Sequence, residues 1–145
     1  MTTAMRSAHG ADVARLELLE ARLLLAATGT LSDDGGQLTI AGTAEAESIV
    51  LTLDSRQNRF TLSQGQAEQQ VFSVETVRAL QVNLGAGDDQ FEFKTLGTLR
   101  QALNVNVDGG AGNDTVRIRW ADDGSIARAR LTAVVTGGAG DDAIG

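Results

Sequence analysis

The sequence predicts an all-β fold: a short right-handed parallel β-solenoid, similar to a β-helix or β-roll, preceded by an N-terminal amphipathic helix. Three observations support this prediction. A motif rich in glycine and aspartate recurs along the chain, apolar residues alternate with polar ones on both sides of each copy, and 17 of the 145 residues are glycine. Since glycine normally makes up about 7% of a protein, the chain is rich in residues suited to tight turns.

The predicted helix spans residues 11–27, of which residues 16–27 read LELLEARLLLAA. Its apolar face holds Val13, Leu16, Leu19 and Leu23, at the spacing of an amphipathic helix. Glu20 and Arg22 interrupt the apolar run, so a standard signal peptide fits poorly. Three roles stay open: a sorting segment, a cap on the first turn of the solenoid, and a disordered lead. We therefore divide the chain into a leader at residues 1–30 and a solenoid domain at residues 31–145.

The recurring motif appears in three copies that align without gaps. They are LGAGDDQFE at 84–92, GGAGNDTVR at 109–117 and GGAGDDAIG at 137–145. The alignment places Asp89, Asp114 and Asp142 in one column, at steps of 25 and 28 residues. The flanking apolar residues align as well, with Val82, Val107 and Val135 upstream and Phe91, Val116 and Ile144 downstream. The repeat therefore extends into the predicted strands.

A fourth and less regular copy, LTIAGTAEAESIVL, occupies residues 38–51. It places Glu47 in the aspartate column and Glu45 where the other copies have glycine. Because of that substitution, we interpret it as a structural first turn of the solenoid. Residues 58–74 then separate it from the next copy, and two short apolar runs around a glycine predict an inserted hairpin there.

The alternation of apolar residues indicates strands, so each copy is a strand, a glycine-rich turn and a second strand. A unit of this size cannot bury its apolar face alone, and such units usually stack. Stacking would place equivalent residues about 4.8 Å apart. The glycine- and aspartate-rich turns would then form a row along one edge.

The predicted row contains six polar residues: Asp88, Asp89, Asn113, Asp114, Asp141 and Asp142. Two like charges about 4 Å apart repel by roughly 4 kcal/mol at a protein surface, so the row needs a counter-ion. The chain as a whole carries a net charge of −7. Oxygen ligands and flexible coordination favour Ca²⁺ over Zn²⁺ and Mg²⁺. We therefore predict calcium as the bound cofactor.

Composition and motif context argue against several other functions. An acidic chain is a poor nucleic-acid binder, the lack of cysteine excludes disulfides and zinc thiolate sites, and no apolar run reaches the roughly 18 residues of a membrane span. The glycine-rich loops lead into strands, whereas a dinucleotide-binding loop leads into a helix. General acid–base catalysis needs carboxylates in different environments. We therefore predict that the chain is not an enzyme, with a polysaccharide-active β-helix as the less favoured alternative.

The motifs resemble the haemolysin-type, or RTX-like, calcium-binding repeats. Two copies fit the pattern G-G-x-G-x-D-x-U-x in full, and the copy at 84–92 lacks only the first glycine. The resemblance implies Ca²⁺ between successive turns, with Asp89, Asp114 and Asp142 as side-chain ligands. It also implies six glycines that shape the loops and offer carbonyl oxygens: Gly85, Gly87, Gly110, Gly112, Gly138 and Gly140. The family's usual spacing is about nine residues, so here only one edge would carry ions.

Residues 16–27 are similar to the LEPR-XLL segment that opens many long bacterial surface repeat proteins, although Ala21 stands where that segment has proline. The two resemblances together imply an exported or cell-surface bacterial protein with a structural or adhesive role. Its implied partners are calcium ions and other repeat domains or cell-surface components. A structural solenoid without functional metal is the alternative. The chain stops three residues after Asp142, which suggests a truncated product or a fragment.

Overall fold

The computed structural model describes residues 27–145 except 66–68, 74, 98, 100 and 120–130. All secondary-structure elements in this part of the chain are β-strands, so the fold is all-β. The predicted N-terminal amphipathic helix lies outside the described residues. No helix long and apolar enough to cross a membrane occurs in the part that is described.

The described fold contains eleven strands, which are formed by the alternating apolar segments. They are β1 (Thr28–Leu31), β2 (Gln37–Ala41), β3 (Ser48–Asp54), β4 (Arg59–Gln64), β5 (Gln70–Ser73), β6 (Ala79–Asn83), β7 (Gln90–Leu96), β8 (Leu103–Asp108), β9 (Thr115–Arg119), β10 (Leu131–Thr136) and β11 (Ala143–Ile144).

The strands form two mixed sheets. Sheet A has the order β1-β2-β6-β8-β10, and sheet B has the order β11-β9-β7-β3-β4-β5. In sheet A, β2, β6, β8 and β10 are parallel, while β1 is antiparallel to β2. In sheet B, β3, β7, β9 and β11 are parallel, while β4 and β5 continue the sheet in antiparallel pairs.

The prediction of a simple right-handed parallel β-solenoid is therefore wrong. Residues 58–74 were expected as an inserted hairpin, but their strands β4 and β5 extend sheet B itself and make it mixed. Strand β1 makes sheet A mixed in the same way, and it begins at Thr28, before the predicted domain boundary at residue 31. The physical reason is chain length, because a short turn returns a strand antiparallel and a parallel neighbour needs a longer crossover.

The parallel strands belong to four strand–turn–strand units, which we number 1 to 4: β2–β3, β6–β7, β8–β9 and β10–β11. In sheet A, Val105 of unit 3 pairs with Leu80 of unit 2 and Ala133 of unit 4. In sheet B, Val116 pairs in the same way with Phe91 and Ile144. Residues in equivalent motif positions are thus neighbours, so the connecting turns of the four units lie side by side.

A single apolar cluster joins the inward-facing residues of both sheets. The largest buried side chains include Phe91 and Phe93 of β7 and Phe60 of β4. Strand β7 lies between β3 and β9, so its phenylalanines are surrounded by buried residues of neighbouring strands. Burial of alternate residues along the central strands therefore supplies the main stabilisation of the fold.

We predict that Phe93→Ala lowers the free energy of unfolding by about 3–5 kcal/mol, because it leaves a cavity in the fully buried core. Val71→Ala in β5 should change it by no more than about 0.5 kcal/mol, because Val71 is 57% exposed and exposed substitutions cost little. Urea denaturation of both variants measures the difference. Equal losses would contradict the proposed position of the core.

Candidate functional site

The candidate site is the set of turns that connects the two strands of each unit, at residues 42–47, 84–89, 109–114 and 137–142. We call this set the turn row. Its four members are adjacent because the flanking strands pair in register, and isolated bridges link Ala111 with Ala86 and Ala139. The structure thus brings together all twelve residues predicted as ligands or loop-shaping glycines.

The glycines allow the turns to stack at very short range. Gly110 and Gly112 have φ values of +82° and +121°, which glycine adopts without steric cost. A Cβ atom on Gly110 would overlap the Gly85 carbonyl of the preceding unit, and one on Gly138 would overlap the Gly110 carbonyl. The same close approach to the backbone of the preceding unit recurs two residues later, at Gly87, Gly112 and Gly140. A side chain at any of these positions would push the units apart.

The backbone of each turn also bonds to its neighbours. The Ala111 N–H donates to the Gly85 carbonyl oxygen at 3.0 Å, and the Ala139 N–H donates to the Gly110 carbonyl oxygen at 2.9 Å. Two of the six carbonyl oxygens that the resemblance assigns to calcium, those of Gly85 and Gly110, are therefore already hydrogen-bond acceptors. A carbonyl oxygen has two lone pairs, so each retains the capacity for one further partner.

The carboxylates at the end of each turn form a ladder along the row. Oδ1 of Asp89 accepts from the Glu47 N–H at 2.8 Å, Oδ1 of Asp114 accepts from the Asp89 N–H at 3.0 Å, and Oδ1 of Asp142 accepts from the Asp114 N–H at 2.9 Å. Each carboxylate thus binds the backbone of the preceding unit. Charge-assisted bonds of this kind are stronger than neutral ones.

The residue that precedes each ladder aspartate forms a hydrogen bond in the opposite direction, towards the following unit. Oδ1 of Asp88 accepts from the Asn113 N–H at 2.8 Å, and Oδ1 of Asn113 accepts from the Asp141 N–H at 2.9 Å. These three side chains are exposed to solvent. They therefore tie each unit to the following one at the surface, while the ladder does so in the interior.

One oxygen of each inner carboxylate has no partner. Asp89 is 0% exposed and Asp114 is 1% exposed. Their Oδ2 atoms, together with Oε2 of Glu47, are buried and accept no hydrogen bond from the described residues. A buried charge without a partner is costly, so these oxygens require a proton or a cation.

The electrostatic effect of this burial is largest at Asp89. Burial raises the pKa of the Asp89 carboxyl group to about 6, and repulsion from Glu47, Asp114 and Asp88 adds to it. The hydrogen bond from the Glu47 N–H acts in the opposite direction, because it stabilises the charged form. Full ionisation of the buried ladder carboxylates is therefore unfavourable unless a positive charge lies nearby.

Glu47, which the sequence places in the aspartate column of a structural first turn, begins the ladder through its backbone N–H. It is buried, and its Oε1 accepts from both the backbone N–H of Thr43, at 2.8 Å, and the Thr43 hydroxyl group. The alignment with the aspartate column was the available signal. The bonds to Thr43 were not foreseeable, because they depend on how this glycine-poor turn closes.

The acids of the row do not converge on one point. Among the described residues, no three histidine, cysteine, aspartate or glutamate side chains form a group that could hold a metal ion. The reason is the spacing, because each unit contributes its inner carboxylate one step further along the row. A cation at the row would depend on backbone carbonyl oxygens in addition to Asp89, Asp114 and Asp142.

Comparisons with protein-family models, curated proteins and solved structures found no match to the chain. The similarity to RTX-like repeats and to the LEPR-XLL segment thus stays a prediction. The features that bear on function are the buried carboxylates, the stacked glycines and the hydrogen bonds of the turn row.

We predict that Gly110→Ala destabilises the protein by several kcal/mol more than Gly65→Ala. Both glycines have positive φ values, +82° and +51°, so both substitutions carry the cost of a left-handed backbone, about 1–2 kcal/mol. Only Gly110 faces a carbonyl at overlapping distance, since no described residue lies within 4 Å of a Cβ on Gly65. Thermal denaturation compares the variants, and equal effects would contradict close stacking of the turns.

We predict that, with divalent ions removed, stability falls as the pH rises from about 4 to about 6. The pKa of Asp89 is near 6 in the folded state, above its ordinary value of 3.8, so the folded protein binds the proton more tightly and benefits from it below that range. Asp89→Asn should flatten this part of the profile, as measured by urea denaturation at a series of pH values. An unchanged slope would count against a buried Asp89.

Proposed function

We propose that the chain is a calcium-binding structural or adhesive repeat domain of an exported or cell-surface protein. The observation that carries the proposal is the pair of buried Oδ2 atoms of Asp89 and Asp114, which have no hydrogen-bond partner in the described structure. Their Oδ1 atoms already bind backbone N–H groups. The unpaired Oδ2 atoms therefore still need a positive charge to balance them.

No described side chain forms an ion pair with the carboxylates of the row. The ion pairs within the described residues join Glu92 to Arg119 and Lys94, and neither involves the turn row. Adjacent units lie about 4.8 Å apart, where two carboxylates repel by about 3 kcal/mol at a surface dielectric. A cation at the row would remove this repulsion and satisfy the buried oxygens together.

The donor atoms of the row fit calcium better than other common metals. Carboxylate and carbonyl oxygens are hard ligands, and Ca²⁺ accepts six to eight of them in flexible geometry. Zn²⁺ prefers nitrogen and sulfur, and Mg²⁺ requires a strict octahedron. Two neighbouring members of the set Asp89, Asp114 and Asp142 would hold each ion between their turns, together with carbonyl oxygens such as those of Gly85 and Gly110. Bound calcium would supply charge neutralisation.

This function would couple folding to calcium. An ion that binds the stacked turns and not the unfolded chain stabilises the folded state by mass action. Extracellular calcium modules often bind at about 10⁻⁴ to 10⁻³ M. The domain would then be most stable outside the cell and less stable at the low calcium of the cytosol, which agrees with export to the surface.

A metal-free structural domain is the second candidate. It is favoured by the hydrogen bonds of the row, because the ladder and the Ala–Gly backbone bonds stack the turns without an ion. In that case a proton on Asp89, whose pKa lies near 6, would balance part of the negative charge of the row below that pH. We propose no catalytic activity in either case, because the acids of the row repeat in one loop context.

We predict that calcium at ten times its dissociation constant stabilises the chain by about 1.4 kcal/mol, which raises the melting temperature by about 3–6 °C. Asp114→Asn should abolish this rise because it removes a ladder carboxylate. Asp33→Asn is the matched control, since it removes the same charge at an exposed position in the β1–β2 turn. Circular dichroism melts in calcium and in chelator measure the effect.

Equal melting temperatures of the wild-type chain in calcium and in chelator would overturn calcium binding and leave the metal-free structural domain. A calcium effect that Asp33→Asn removes as fully as Asp114→Asn would also contradict the proposal, because it would indicate a response to net charge alone.

A further inference from the structure

The first residue of each turn in the row is a glycine in units 1, 3 and 4. Gly42, Gly109 and Gly137 hold this position, whereas Leu84 holds it in unit 2. The three glycines lie outside the left-handed φ region, so their backbone conformation is open to other residues. Turn geometry therefore does not explain why glycine stands there, and the explanation has to come from the space around it.

That space holds the free oxygen of the inner carboxylate of the same unit. A Cβ atom on Gly109 would lie 2.7 Å from Oδ2 of Asp114. In unit 1, a Cβ atom on Gly42 would lie 2.9 Å from Oε2 of Glu47. A real Cβ atom does not approach another atom within 3.0 Å, so each acid takes this position only because the first turn residue has no side chain.

Unit 4 shows the same relation most clearly. A Cβ atom on Gly42 or Gly109 would also overlap a carbonyl group of the next unit. On Gly137, the three nearest described atoms all belong to the Asp142 side chain, and Oδ2 is the closest of them. The first glycine of the turn is thus a positioning residue for the carboxylate of the ladder.

Unit 2 lacks this space. Leu84 is fully buried and belongs to the apolar cluster, and its Cβ fills the position that a carboxylate oxygen takes in the other units. The free oxygen of Asp89 is therefore displaced from that position, beside a turn that begins with a hydrocarbon side chain. Calcium needs six to eight oxygen ligands, and a hydrocarbon group blocks some of the directions from which they could approach.

We propose that Leu84 makes the ion sites of the row unequal, so that the interval between units 3 and 4 binds calcium at least tenfold more tightly than any interval that includes unit 2. This inference rests on the proposed calcium binding and assigns the position of the tightest site. Among the described units, 3 and 4 are the only neighbours in which both acids, Asp114 and Asp142, lie over a glycine. Every other interval includes Leu84.

Calorimetric titration of calcium into the full chain at pH 7 tests the order of the sites. We expect one tight ion per chain, with any second ion bound at least tenfold more weakly. Asp142→Asn should weaken the tight ion at least tenfold, whereas Asp89→Asn should change its affinity less than threefold. The two variants are matched, because each removes one ladder charge and retains an oxygen that can accept the backbone hydrogen bond.

Substitutions at the first turn position separate the effect of space from that of stability. Leu84→Gly should tighten the second ion at least tenfold, and Leu84→Ala should not, because alanine keeps the Cβ atom. Both variants remove the buried isobutyl group, and circular dichroism in chelator shows whether they fold.

Gly137→Ala decides the question without a loss from the core. It should weaken the tight ion at least tenfold, because the added Cβ meets the Asp142 carboxylate. Gly36→Ala is the control, since it also lies outside the left-handed φ region and its Cβ would meet the Asp34 carboxylate at 3.3 Å or more. Its calcium affinity should equal that of the wild-type chain.

Three results would each overturn the inference while leaving calcium binding in place. They are two ions of equal affinity in the wild-type chain, a tight ion that Asp89→Asn weakens as much as Asp142→Asn, and equal losses of affinity in Gly36→Ala and Gly137→Ala. A wild-type chain that binds no calcium would instead overturn the proposed function itself, so the two failures are distinguishable.

Discussion

Close stacking of the glycine turns is the constraint on which the rest of the structure depends. The Gly85 and Gly110 carbonyls lie where a side chain of the next unit would otherwise sit. This contact sets the separation of the units at the turn row, and the strands on both sides pair in a register that agrees with it. The same contact brings one carboxylate of each unit beneath the backbone of its neighbour, so that the ladder forms as a consequence of the stacking.

The ladder both joins the units and creates an electrostatic problem. Each inner carboxylate supplies one oxygen to a backbone N–H, but burial leaves the second oxygen of Asp89 and of Asp114 without a partner. The free energy gained by the hydrogen bonds is reduced by the cost of that charge. In the proposed function, a counter-ion would balance this charge at neutral pH, and a proton would do so in acid. The stability of the domain would then depend on calcium concentration and on pH.

The sequence indicates much of the turn row but less of the sheet architecture. Equal spacing of motif and flanking strands is enough to predict that Asp89, Asp114 and Asp142 lie in neighbouring turns; their role as metal ligands stays a prediction. Strand β1 was missed because it is only four residues long. The place of the predicted hairpin in sheet B was missed because an inserted hairpin can project from a sheet or extend it. The hydrogen bonds between Thr43 and Glu47 depend on the local path of one turn. A repeat alignment shows only what the turns share, so it does not predict them.

The most direct test of the account is calorimetric titration of calcium into the full chain at pH 7, after removal of divalent ions. We predict saturable binding of one or two ions, because three ladder aspartates enclose at most two intervals between neighbouring turns. We also predict that magnesium at the same concentration gives little heat. No saturable calcium binding at millimolar concentration would contradict the central claim that the buried carboxylates of the row are balanced by a calcium ion.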